Sequence, residues 1–480
     1  MNNLAFATIK ELRTKLVNKE ISAQELAAFF TKRFEQHDTK IQSALEVFGA
    51  DSVLASSEQQ GVLQGIPGLI KDNISQKGRA LTCSSNILKG FKATYDATAI
   101  VRLKQEGALL LGRANMDEFA MGSSGETSAY QTSKNPWDVT RVPGGSSSGS
   151  AAAVAAGLVP WALGTDTGGS VRQPAAFCNL VGSKPTYGLV SRYGIVAYGS
   201  SLDQIGVMTR TVYDNALVLS VIAGHDPRDS SSLAVQKKDY TQSLDGTIPA
   251  GLRIGVVDNA LYADGMDPEV VSAIEQAIKV LEQLGATIKR IKLPALDYSA
   301  ATYFIISRAE AASNLARFDG VRYGMRDKKS SSLSDMYFNT RHDGFGTEVK
   351  SRILIGNYVL SAGYADAYYE NAKKVRHMMT KNFLDMYKDV DLLVMPTAPC
   401  AAFKFGAFAQ HKLQMDLQDY FTCAANLTGM PAVAVPCGMT STQLPVGFQL
   451  YGPHLSEELI FKVAHAYEQK TAWHTMHANV

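Results

Sequence analysis

The stretch "ALGTDTGGSVRQPAAF", residues 162–177, decides the fold. Its apolar run stops at Gly164, small polar residues follow up to Ser170, and helix-compatible residues then begin. A strand, a glycine turn and a helix in that order aim a serine hydroxyl and several backbone N–H groups at one point. A nucleophilic Ser170 needs a group to take its proton, and no histidine lies near it in sequence.

Upstream, "NPWDVTRVPGGSSSGSAAAVAAGLVPWALGTD" (135–166) reads as a long loop, a small-residue helix from about Ser150, and the apolar strand that feeds the opening stretch. Farther back, "GIPGLIKDNIS" (65–75) reads as a turn, a short apolar strand and a polar exit. "TAIVRLKQEGALLLGRANMDEFA" gives a helix, Gly107, a buried strand ending near Gly112, and a loop. "SAQELAAFFTKRFEQHD" opens with Ser22 and carries Glu25 three residues on, a capping box before a helical period. Downstream, "GLRIGVV", "ATIKRIKL", "DLLVMPT", "PAVAVPCG" and "PVGFQLYG" read as strands. "PEVVSAIEQAIKVLEQLG" and "SEELIFKVAHAYEQKT" read as helices. Strands alternating with helices predict an α/β layered architecture with a mixed sheet. Residues 237–251, "KKDYTQSLDGTIPAG", form the best candidate for an insertion boundary and are not a domain break.

The 480 residues are 46% hydrophobic and 19% charged with a net charge of +2, which suits a globular protein and argues against a nucleic-acid or membrane binder. Five cysteines, Cys83, Cys178, Cys400, Cys423 and Cys437, are odd in number and share no CxxC spacing. That argues against a disulfide framework and against a thiolate zinc site, and fits a reduced, cytoplasmic setting. No segment approaches the length of a membrane span, and the N-terminus has too short an apolar run for a signal peptide.

Amide cleavage needs a nucleophile, a base and donors for the oxyanion. The N–H groups of Thr167, Gly168, Gly169 and Ser170 would converge if the loop curls into a helix N-terminus, where unpaired donors favour negative charge. The plainer reading is a glycine turn with Ser170 as an N-cap. Gly145–Ser147–Gly149 formally matches G-x-S-x-G, but a polar, proline-bearing loop precedes it, and the nine histidines are scattered. The remaining base type is lysine, whose pKa falls when apolar groups bury it. Lys71 ends the apolar run "GIPGLI"; read alone, it is an ordinary strand end.

Together, Lys71 in "GIPGLIKDNIS", Ser146 in "GGSSSGSAAAVA" and Ser170 in "GTDTGGSVRQPAAF" resemble the three parts of the amidase signature family, with the two serines at the family's separation. The resemblance implies one amidase-signature domain over 1–480, with its signature core at about 60–210 and a C-terminal part completing the sheet and the substrate pocket. A large mixed sheet flanked by helices on both faces is the implied fold. It further implies a Ser–cis-Ser–Lys triad, with Ser170 as nucleophile, Ser146 after a cis peptide as relay and Lys71 as base, and an oxyanion hole at Thr167, Gly168 and Gly169. One departure is Ser148, where the family has glycine; if that position needs positive φ, serine carries a small penalty.

Long stretches beyond the triad, among them "KPTYGLVSRYGIVAYGSSLDQIGVMTRTVYDNA" and "SRILIGNYVLSAGYADAYYENAKKVR", are similar to the glutaminase subunits of bacterial tRNA-dependent amidotransferases. That implies hydrolysis of glutamine through a glutamyl acyl-enzyme, with ammonia passed to a kinase/transferase partner that amidates Glu-tRNA or Asp-tRNA. A small clamp subunit completes the implied heterotrimer. The chain itself would hold no cofactor or metal; ATP and Mg²⁺ would belong to the partner. Arg352 would grip the α-carboxylate of glutamine and Asp419 its ammonium, with Tyr303 packing nearby and Ser124 lining the pocket. The alternative is a stand-alone amidase acting on small or aryl amides. Asp166 reads as loop scaffolding, Arg172 and Gln173 as braces of the active-site helix, and Trp161, Phe177 and Cys178 as core.

Overall fold

The computed structural model describes residues 4–55 and 60–480. Its strands are β1 (Ala44–Val47), β2 (Pro67–Lys71), β3 (Leu109–Ala114), β4 (Trp161–Asp166), β5 (Val181–Lys184), β6 (Gln204–Thr209), β7 (Arg253–Val257), β8 (Thr287–Ile291), β9 (Leu392–Pro396), β10 (Ala432–Met439) and β11 (Pro445–Tyr451). They form one eleven-stranded sheet in the order β1-β3-β2-β4-β6-β5-β10-β11-β9-β7-β8. β2 runs parallel to both β3 and β4, and β7 parallel to β8 and β9, while the central pairs from β4 to β9 are antiparallel. The sheet is mixed, as the sequence predicts.

Period-2 packing shows helices on both faces. On β9, Leu392 and Val394 join the large core, whereas Leu393 and Met395 join a second core beneath the helices Ser299–Asn314 and Asn371–Met386. Such strands read as continuous apolar runs because neither face meets water. The Ser22–Glu25 capping box opens the helix Ala23–Ile41. Residues 237–251 hold the C-terminal helix Glu457–Glu468: Tyr240 packs on Phe461, and Lys462 donates to Asp245 at 2.8 Å. Among the described residues no helix is long and apolar enough to cross a membrane.

The helix Ser148–Ala155, "SGSAAAVA", is buried along its whole length and lies against β2, β3 and β4. Only small side chains permit that approach. The residue before the helix is equally close to the sheet: a Cβ on Gly164 of β4 would lie 2.6 Å from Ser147 Oγ.

Candidate active site

Parallel pairing places the base. Gly68, Leu69 and Ile70 on β2 face Trp161, Ala162 and Leu163 on β4, so Lys71 leaves the sheet at the same carboxyl end as the Thr167–Ser170 loop. Crevices at the carboxyl ends of parallel strands are the usual place for chemistry in such sheets. Lys71 is fully buried, and its Nζ donates to Ser146 Oγ at 2.8 Å, Ser147 Oγ at 2.9 Å and the Thr165 carbonyl at 3.3 Å. Burial lowers its pKa to about 7, outweighing the opposing pull of Asp117, Asp166 and Asp203. An amine in that range is available as a base at neutral pH.

The Gly145–Ser146 peptide is cis, as the family resemblance implies. Asp117 grips the preceding loop: its N–H donates to the Ser146 carbonyl at 3.1 Å, and its carboxylate accepts the Gly125 N–H at 2.9 Å. Gln173 accepts the Gly145 N–H at 3.0 Å and donates to the Ser123 carbonyl at 3.0 Å. It therefore braces the serine loop, where the sequence suggested the active-site helix. Ser148 opens the helix without positive φ, so serine in place of the family's glycine carries no left-handed penalty.

Ser170 is 6% exposed, and its carbonyl accepts the Ser147 N–H at 3.1 Å, which ties the nucleophile loop to the relay loop. Behind it, Asp166 accepts the Gly169 N–H at 2.9 Å and the Val171 N–H at 3.2 Å. Arg172 locks that carboxylate with contacts at 3.1 and 3.0 Å. Burial would raise the Asp166 pKa, but the guanidinium prevails and holds it at about 2. Asp166 and Arg172 are scaffold, as the sequence suggests.

This scaffold corrects the expected oxyanion hole. The Gly169 N–H is spent on Asp166, because the helix Arg172–Phe177 begins without a capping side chain of its own. Among the described residues the N–H groups of Thr167, Gly168 and Ser170 make no hydrogen bond and stay available. Asp203 and Thr422 hold the loop in shape: Thr167 Oγ1 donates to Asp203 at 2.6 Å, and Thr422 Oγ1 to the Gly168 carbonyl at 2.6 Å. Tyr303 packs so tightly on Gly168 that a Cβ there would come within 2.5 Å of its ring.

The charged pair reaches the same region from two directions. Arg352, on the helix Thr347–Leu360, donates from Nε to Glu348 at 2.7 Å, from Nη1 to the Tyr198 hydroxyl at 2.7 Å and from Nη2 to the Gly122 carbonyl at 2.9 Å. Asp419 accepts from Ser123 Oγ through Oδ2, while its Oδ1 is buried without a partner. Burial pushes the Asp419 pKa up to about 7, against the pull of Ser123 and Arg352. A cavity of about 280 Å³ is lined by Arg352, Ser123, Ser124, Glu348 and Lys412 among others. Its floor abuts the relay loop, since a Cβ on Gly145 would lie 2.8 Å from the Ser124 N–H.

Every side chain singled out in sequence for the site thus lies in one neighbourhood. Ser123, Asp117, Asp203, Thr422 and Tyr198 join them without having been singled out, and so does Ser147, named in sequence only as the serine of a formal G-x-S-x-G and here sharing Lys71 with Ser146. The others are polar residues whose partners in the site lie on other segments of the chain. Chemically, the assembly offers a hydroxyl, a buried amine joined to a second serine, backbone donors, and an adjoining cavity that carries Arg352, with Asp419 bonded to Ser123 on its wall. That is the equipment of an amide hydrolase.

The sequence profile of the amidase family matches residues 25–461, and the chain belongs to that family. It is 49% identical over 479 residues to a glutamyl-tRNA(Gln) amidotransferase subunit of Picosynechococcus sp., covering 98% of this chain and 99% of that one. The solved structure of the corresponding glutamyl-tRNA(Gln) amidotransferase subunit from Thermotoga maritima superposes with a TM-score of 0.83 at 41% identity, covering 98% of this chain and 95% of that one. The peptide amidase of Stenotrophomonas maltophilia shares the fold with a TM-score of 0.83 at 31% identity, each chain 97% covered.

Proposed function

We propose that this chain, acting as one amidase domain, is the glutaminase subunit of a cytoplasmic tRNA-dependent amidotransferase. Neutral Lys71 takes a proton from Ser146, which takes one from Ser170, and Ser170 Oγ attacks the side-chain amide carbon of glutamine. Thr167, Gly168 and Ser170 N–H groups receive the oxyanion. The relay returns the proton to the leaving nitrogen, ammonia departs, and a γ-glutamyl ester remains on Ser170. Water, activated by the same relay, releases glutamate. Arg352 forks the α-carboxylate, and the ammonium meets the unpartnered Asp419 Oδ1. Ammonia then serves a partner subunit that uses ATP and Mg²⁺ to amidate Glu-tRNA(Gln) or Asp-tRNA(Asn), with a small third subunit clamping the two.

The observation that carries the reading is the fully buried Lys71 hydrogen-bonded to Ser146 beneath the Ser170 loop. The names of the relatives support the tRNA and amidotransferase parts. The test is ammonia release from glutamine by the purified chain, alone and with its partner subunits, with acetamide in parallel. Glutamine-selective release that rises with partners and vanishes in Ser170→Ala is the expected result. Vigorous acetamide hydrolysis indifferent to partners would instead make the chain a free amidase, and retained release in Ser170→Ala would remove that residue as nucleophile.

A further inference from the structure

Arg352 can fork a substrate carboxylate only if its plane is fixed and its charge is not cancelled. Three of its five N–H donors are taken, by Glu348, the Tyr198 hydroxyl and the Gly122 carbonyl, leaving one on each Nη. Glu348 is the only anion of the three, and it divides itself between Arg352 and Lys412, whose Nζ lies 3.0 Å away. The other two acceptors are neutral. They orient the guanidinium without neutralising it.

Of the two neutral acceptors, only Tyr198 is a side chain. Its hydroxyl accepts from Nη1 at 2.7 Å, with the guanidinium carbon 5.5 Å from the ring centroid. Tyr198 itself is 1% exposed. Its N–H donates to Asp203 at 2.9 Å, and the same carboxylate receives Thr167 Oγ1 from the nucleophile loop. Its carbonyl accepts from Asn314 at 3.1 Å, at the end of the helix that presents Tyr303 to Gly168. The segment from Tyr198 to Asp203 therefore links the carboxylate fork to the loop that carries Ser170.

We propose that Tyr198 is a positioning residue for substrate selection: its hydroxyl fixes Arg352 as a fork for an α-carboxylate, in register with the Thr167–Ser170 loop. The proposal rests on the glutamine reading above. Tyr198 touches the arginine and does no chemistry, so its loss falls on recognition of the carboxylate rather than on amide cleavage.

The experiment compares L-glutamine with 4-aminobutanamide, the same molecule without its α-carboxylate, using the chain assembled with its partner subunits. In wild type, glutamine is strongly preferred. Tyr198→Phe keeps the ring and removes one hydrogen bond to a charged group; it raises the glutamine KM about tenfold while kcat and the use of 4-aminobutanamide change far less. In an Arg352→Lys background, where the fork is already gone, Tyr198→Phe adds little. Equal losses on both substrates, an unchanged glutamine KM, or a variant that no longer folds would each overturn the proposal and leave Tyr198 as core. A wild type indifferent between the two amides would instead sink the glutamine reading itself, visible before any variant is made.

Discussion

Two buried lysines show what makes one of them a base. Lys71 and Lys184 both end sheet strands, both are almost wholly inaccessible, and burial lowers both pKa values to about 7. Their surroundings differ. Lys71 Nζ reaches two serine hydroxyls, one of them at the cis peptide, on a loop whose Ser147 N–H is bonded to the Ser170 carbonyl. Lys184 Nζ donates to the carbonyl of the next residue, Pro185, at 2.8 Å, in the field of Arg172, Asp166 and Glu457. Desolvation alone yields an amine that can be neutral at pH 7. Only a neighbouring exchangeable proton, leading to a substrate, makes that useful.

The sharpest way to break this comparison is to substitute each lysine with methionine, which keeps the apolar stem and removes the amine. Lys71→Met is expected to lower glutamine hydrolysis by roughly a thousandfold with the fold retained, while Lys184→Met stays within a few-fold. Equal losses in the two variants, with both folded by circular dichroism, would mean that position does not distinguish them.

A smaller effect is the pH profile of kcat/KM for the wild type. Because the neutral amine is the base and its pKa lies at about 7, activity is flat above that value and falls about tenfold per pH unit below it. Lys184→Met is expected to leave that acid limb where it is. A limb that moved with Lys184 would assign it to the wrong lysine.

The smallest effect concerns Ser147, which shares Lys71 with Ser146. Ser147→Ala removes an acceptor that favours the ammonium form, so the Lys71 pKa drops further and the acid limb shifts to lower pH. The accompanying loss of rate is about tenfold. A limb displaced upward would show that Ser147 donates to the amine and does not accept from it.

Much of the fold and of the site is legible in the chain's local patterns. The apolar runs that form β2, β4, β10 and β11, the capping box at Ser22, and the triad positions can be read directly, because each depends on local pattern or on a spaced motif. The role of Gly169 cannot. Its N–H looks free in a glycine turn, and only the return of Asp166 three residues back shows that it is used. Tyr198 is equally hidden, since a tyrosine in an apolar stretch reads as core until Arg352, 154 positions away in sequence, is seen donating to it. Ser148 raises a concern that the backbone removes, its position being helical.

By itself the sequence determined the alternation of strands and helices, the small-residue helix that can lie close to a sheet, and which serines and lysine belong to the amidase pattern. The first two follow from periodicity and side-chain size, which are properties of neighbouring residues, and the third from the likeness of three separate segments to the family's motifs. Tertiary structure alone decided that β2 and β4 are parallel neighbours, so that Lys71 and Ser170 meet at one end of the strands, which backbone donors remain free, and how Arg352 keeps its charge. Those depend on hydrogen bonds between groups far apart in the chain, and burial, which lowers the lysine pKa, exists only once the chain has closed around it.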